Sequence, residues 1–133
     1  MAPRFKHPPR ILVVDDDPIT VSLLRTLLQL DGFEVLGGNP NEPIVEAVRA
    51  SRPDLILMDV LLRGANGLEI LSQLKADPSL AGTPVVMCSG MDVSEQCMSR
   101  GAQVFLLKPY SPDHLLDTIR ACLARPGLPK GQS

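Results

Sequence analysis

The sequence predicts an α/β fold, a doubly wound parallel sheet of five strands with five helices. Three observations carry that expectation. The apolar runs are short, continuous and rich in branched residues, as in strands covered on both faces. They alternate with segments whose apolar residues recur at helical spacing. The joins between them carry Asp-Pro, Gly and Asn signals for helix starts and turns. A chain of 133 residues fits one such domain, and at that size roughly two-thirds of the unfolded surface is buried without help from disulfides or metal.

Each element has its own local reason. Arg10-Ile11-Leu12-Val13-Val14 is the first strand. Asp17 then caps a helix with Pro18 at its first position, Val21, Leu24, Leu27 and Leu28 on one face, and Asp31-Gly32 as its stop. Phe33 to Leu36 is a weaker second strand, and Gly37-Gly38-Asn39-Pro40 is turn material. A second helix is expected from near Asn41 to Ser51, ended by Arg52-Pro53. Leu55 to Met58 is the third strand, followed by a loop over Val60 to Ala65. Asn66 and Glu69 have capping-box spacing for the third helix.

The stretch from Asp77-Pro78 to Thr83-Pro84 is a loop, and Val85 to Cys88 is the fourth strand. Asp92 and Glu95 repeat the capping spacing for a short helix ending at Gly101. Val104 to Leu107 is the fifth strand, and Ser111-Pro112-Asp113 opens a last helix to about Arg125. The organisation expected is an N-terminal extension over residues 1–9, the domain over 10–125, and a polar tail over 126–133.

Composition narrows the function. Thirteen Lys and Arg against 15 Asp and Glu leave a formal net charge of −2, and aromatics are 3%. That balance argues against direct binding to nucleic acid or an anionic membrane. Cys88, Cys97 and Cys122 are odd in number and widely spaced, which reads as neither a disulfide framework nor a zinc site. No apolar run approaches a membrane span, so a cytoplasmic location is expected.

Chemistry concentrates at the strand ends. In a parallel sheet all carboxyl ends share one edge, where ligands bind. There the first strand ends in Asp15-Asp16, the third in Asp59, the fourth in Ser89 and the fifth in Lys108. Crowded carboxylates repel unless a cation intervenes. Mg²⁺ suits an all-oxygen set that keeps one or two carboxylates and leaves room for a phosphate. Lys108 and Ser89 then offer a charge and a hydrogen bond to an anion beside the metal.

Those residues, with Asp17-Pro18, Gly67, Gly90 and Pro109 around them, resemble a bacterial response-regulator receiver domain over Arg10 to Arg125. Each motif is weak alone; their order and spacing together are specific. The resemblance implies a flavodoxin-like, receiver-type fold in which Asp59 accepts a phosphoryl group from a sensor histidine kinase or phosphotransfer protein. It also implies a Mg²⁺ ion held by Asp16, Asp59 and the backbone carbonyl of Leu61, with Asp15 acting through water. Lys108 would stabilise the transferred group, Ser89 would bond it, and Phe105 would swing inward as the switch. A cis bond before Pro109 is expected on the same ground. The face of helix four, strand five and helix five becomes the output surface, facing a partner protein, a fused output domain or a second copy. The chain would then be no enzyme in its own right, but a phosphoacceptor that promotes its own phosphotransfer and dephosphorylation.

Plainer roles compete at several positions. Asp17 reads as a helix cap before it reads as a ligand. Phe105 is equally a strand residue with one buried face. The cysteines and Met87, Met91 and Met98 read as packing, and His7 and His114 are isolated. Arg63 stands where receivers often carry proline, four residues after the acceptor. Leu61 and Met91, two residues beyond Asp59 and Ser89, are expected to line the mouth of the site and slow an attacking water.

Two other functions use the same residues. A haloacid-dehalogenase-like phosphohydrolase would take Asp15 as nucleophile and Asp17 as general acid, followed by Thr20 and a later Ser and Lys. It leaves Asp59 unexplained and lacks a later acidic pair for the metal. A receiver-like scaffold that is never phosphorylated would be favoured by loss of an acid, and none is missing.

Overall fold

The computed structural model describes residues 7–37 and 42–124. Strands β1 (Arg10–Val14), β2 (Glu34–Gly37), β3 (Leu55–Asp59), β4 (Val85–Ser89) and β5 (Val104–Leu107) form one parallel sheet in the order β2-β1-β3-β4-β5. Helices α1 (Pro18–Leu30), α2 (Ile44–Ser51), α3 (Gly67–Ala76), α4 (Ser94–Ser99) and α5 (Pro112–Leu123) connect or follow the strands. This is the doubly wound, flavodoxin-like arrangement expected.

The strand alternation builds two cores. Ile11, Val13, Leu55, Leu57, Val86, Cys88 and Leu106 face one side, where Leu24 and Leu28 of α1 meet Leu115 and Ile119 of α5. Leu12, Ile56, Met58, Val85 and Met87 face the other, against Val48 of α2, Leu71 and Leu74 of α3, and Cys97 of α4. Because both sides are covered, the strands show no polar face. Cys88, Cys97 and Cys122 are free and buried, and burial pushes the Cys88 thiol up to about 12.

Several boundaries differ from expectation, each for a local reason. β2 runs one residue later than expected. Helix α2 begins at Ile44 rather than near Asn41, with Pro43 as its N-cap at ψ 133°. Glu42, preceding proline, is steered away from helical backbone, so the helix cannot start earlier. The expected loop over Val60 to Ala65 contains a small antiparallel ladder, Leu61–Leu62 with Ala65–Asn66, turning through Gly64 at φ +69°. Asp92 does not cap α4. Val93 is the N-cap, and Asp92 accepts hydrogen bonds from the Ser94 N–H and hydroxyl. Helix α5 ends at Leu123. Residues 38–41, which include most of the expected turn, lie outside the described residues, as do 1–6 and 125–133.

The other caps follow the sequence closely. Asp17 accepts the Ile19 N–H, Asn66 the Leu68 N–H and Ser111 the His114 N–H. Among the described residues no helix is long and apolar enough to cross a membrane.

Candidate functional site

The strand order reverses direction between β1 and β3, the place where open α/β sheets leave a crevice beyond their carboxyl ends. Asp15 and Asp16 follow β1 there, and Asp59 is the last residue of β3. The register aligns Val14 with Met58, which brings the acids level. Lys108 arrives from the end of β5, across β4, with its backbone N–H on the Ser89 carbonyl at 2.8 Å. The peptide bond from Lys108 to Pro109 is cis, as the resemblance implied.

These side chains meet. Lys108 Nζ lies 2.6 Å from Asp59 Oδ2 and 3.3 Å from Asp15 Oδ2. The Asp15 and Asp59 side chains are only 9% and 13% exposed, so the ammonium's pairing with them matters. Burial works against the Lys108 charge, but the hydrogen bond from Lys108 to Asp59 and the attraction of both carboxylates outweigh it. Lys108 is therefore held above the ordinary lysine range and stays an ammonium.

Backbone donors orient the remaining carboxylate oxygens. Asp59 Oδ1 accepts the Leu61 N–H at 3.0 Å, and Asp15 Oδ1 accepts the Asp17 N–H at 2.9 Å. Asp16 Oδ2 accepts the backbone N–H of Arg63, which belongs to the turn of the small ladder. That last bond needs a residue other than proline at position 63. Asp17 is a cap and no member of the lysine cluster. Its carboxylate accepts the Thr20 hydroxyl and the Ile19 N–H, which together lower its pKa.

Behind Asp59, the fold has no room to spare. A Cβ on Gly67 would sit 2.5 Å from the Asp59 carbonyl oxygen and 2.9 Å from Val60 Cα. The Gly67 N–H donates to the Val60 carbonyl at 2.8 Å, tying the start of α3 to the end of β3. Glycine there allows the helix to approach the strand that carries Asp59.

The site opens as a cavity of about 490 Å³ lined by Asp15, Asp16, Asp59, Lys108, Leu61 and Arg63, together with Asp17, Pro18, Thr20 and Leu62. Of the two residues expected at its mouth, Leu61 lines it and is 67% exposed. Met91 is exposed but is not among the lining residues. Ser89 is buried beside the cavity rather than in its wall, and its hydroxyl oxygen accepts the Met91 N–H at 3.1 Å. Phe105 is half-buried and packs on the core shared with α2, α3 and α4. The contributions of Pro18, Thr20 and Leu62 to the wall were not read from the sequence. Their signal, adjacency to Asp17 and to Leu61, shows only that they are local neighbours.

The chain is similar to known proteins in both sequence and fold. The chain is 36% identical over 119 residues to the DNA-binding response regulator MtrA of Mycolicibacterium smegmatis, covering 87% of this chain and 51% of MtrA. It spans about half the length of that relative and its mycobacterial counterparts. Protein PilH of Pseudomonas aeruginosa is 34% identical over 118 residues, covering 86% of this chain and 98% of PilH. Among solved structures, a response regulator from Chloroflexus aurantiacus superposes with a TM-score of 0.82 at 28% identity, over 89% of this chain and 99% of that one. The response regulator receiver domain family matches residues 11–120. With that match across most of its length, the chain belongs to the response-regulator receiver family.

Proposed function

We propose that Asp59 is the phosphoacceptor of this receiver domain. The observation that carries the reading is the pairing of Lys108 with Asp59 and Asp15 inside one cavity, at 2.6 and 3.3 Å. In the transfer, an Asp59 carboxylate oxygen forms a bond to phosphorus while the P–N bond to the donor's histidine breaks, its electron pair returning to the imidazole. Lys108, already in contact with Asp59, follows the charge onto the phosphoryl oxygens. The Leu61 N–H holds the carboxylate in a fixed orientation throughout.

The donor set fits Mg²⁺. Asp15, Asp16 and Asp59 present only hard oxygen ligands to the cavity. Mg²⁺ takes one or two carboxylates and keeps several waters, which an all-oxygen set of this kind can supply. We assign Asp16, Asp59 and the Leu61 carbonyl as its direct ligands, and Asp15 as a ligand through water. When bound, the ion neutralises charge that develops on the equatorial phosphoryl oxygens.

Ser89 would draw its loop toward the phosphoryl group, and Phe105 would respond on the output side. The phosphohistidine partner is a sensor histidine kinase or a phosphotransfer protein in the cytoplasm. The output goes through the face of α4, β5 and α5 to a partner protein, a fused domain or a second copy. The domain itself runs over residues 10–125, flanked by an extension (1–9) and a tail (126–133). Its chemistry is limited to its own phosphorylation and dephosphorylation.

The test is intact mass after incubation with Mg²⁺ and acetyl phosphate. One phosphoryl group should add to the wild type, be lost with chelator, and be absent from Asp59→Asn. An adduct that persists in Asp59→Asn and disappears in Asp15→Asn would instead indicate the phosphohydrolase chemistry. Leu61 at the mouth predicts a slow decay of the adduct, and Leu61→Asn should shorten its lifetime.

A further inference from the structure

Arg63 departs from the receiver pattern in two ways at once. Its backbone N–H donates to Asp16, a bond that the proline common at this position could not make. Arg63 also adds an exposed cationic residue to the lining of a cavity that already holds Asp15, Asp16, Asp17, Asp59 and Lys108. Among the described residues, none of those carboxylates forms an ion pair with the Arg63 guanidinium. Lys108 is the opposite case, engaged by two carboxylates at once.

The charge balance gives the uncommitted guanidinium a purpose. Four carboxylates and two cations line the cavity, so the wall alone repels an incoming phosphoryl dianion. Lys108 cannot meet that anion early, because it is held at Asp59 and Asp15 until charge moves off Asp59. Arg63 is exposed and has no such commitment, and the planar fork of a guanidinium matches phosphoryl oxygens well. We propose that Arg63 is a donor-specificity residue, a cation that captures the phosphoryl group of the donor at the mouth of the cavity before transfer to Asp59. The proposal rests on the phosphoacceptor reading above.

Two consequences have opposite signs, which separates capture from a structural role. Removing the positive charge weakens binding of the anionic donor. The same removal relieves repulsion of a divalent cation by the cavity, so Mg²⁺ binding without donor is unchanged or tighter. The Asp16 contact comes from the backbone and survives any replacement except proline.

The experiment follows phosphorylation of wild type, Arg63→Gln and Arg63→Lys by phosphoramidate over a range of donor concentration and ionic strength. Mg²⁺ affinity without donor is read separately by amide chemical shifts. Arg63→Gln should raise the half-saturating phosphoramidate concentration about three- to fivefold, the scale of one exposed charge contact. Its maximal rate should stay close to wild type, its salt dependence should flatten, and Arg63→Lys should recover most of the loss. An unchanged half-saturating concentration, or a loss of maximal rate together with weaker Mg²⁺ binding, overturns the assignment. Failure of the wild type to form any adduct on Asp59 would instead overturn the phosphoacceptor reading itself.

Discussion

At the scale of single residues, Gly67 shows how little tolerance the site has. The missing side chain leaves space that the Asp59 carbonyl and the Val60 backbone already occupy. Backbone cannot rotate out of the way as a flexible side chain can. Gly67→Ala should therefore displace the start of α3 or the end of β3, at a cost of about 1–3 kcal/mol typical of overpacking. Thermal or urea unfolding measures the loss. The variant should also be phosphorylated more slowly than Gly90→Ala, where a Cβ meets nothing within 4 Å. Equal rates for the two variants would show that the contact behind Asp59 is not limiting.

At the scale of elements, a charged link joins two neighbouring helices. Arg49 of α2 pairs with Glu46 and reaches Asp77, the C-cap of α3, at 2.8 Å. Asp77 also accepts the Ser79 N–H and hydroxyl, which starts the loop leading to β4. The Arg49 guanidinium, helped by Ser79, lowers the Asp77 carboxyl from its ordinary value to about 2. A lowered folded pKa contributes stability above the unfolded value, about 3.9 for Asp. That contribution fades as pH falls toward 2. Arg49→Gln should consequently be less stable than wild type at pH 6, with the gap narrowing on acidification through that window. Denaturant melts at pH 6, 4 and 3 provide the check; a gap that widens in acid would contradict the link.

At the scale of the whole molecule, function and stability pull apart at one edge of the sheet. Three carboxylates meet at the ends of β1 and β3, and Lys108 pairs with two of them, Asp15 and Asp59, a concentration of like charge that a site chosen for stability alone would avoid. A ligand that binds only the folded state stabilises it in proportion to its occupancy, by about 2.7 kcal/mol at 100 times its Kd. Mg²⁺ should therefore raise the melting temperature of the wild type and have little effect on Asp16→Asn. Without metal, Asp16→Asn should melt no lower than wild type, because a repelling charge has gone. Melting curves with and without Mg²⁺ settle both points, and an equal rise in the two proteins would place the ion elsewhere.

Local chemistry made most of this molecule legible before any coordinates. Asp17-Pro18, Ser111-Pro112 and the apolar runs of β1, β3 and β4 act through contacts within a few residues, so their elements follow from the chain order alone. The start of α2 differs because Pro43 overrides Asn41, and that of α4 because Asp92 spends its carboxylate on Ser94 while Val93 takes the N-cap without a side-chain bond. The carboxylates at the strand ends were also legible, since parallel topology must gather them on one edge.

Tertiary structure decided the rest. Only the register of β1, β3, β4 and β5 determines that Lys108 reaches both Asp59 and Asp15, that Ser89 is buried beside the cavity, and that Met91 stands outside its wall. Only the small ladder after β3 places the Arg63 N–H on Asp16. These contacts join residues 47 and more positions apart, and their geometry depends on how the sheet twists and packs. No local pattern encodes that, because the energy that sets it is shared across the two cores.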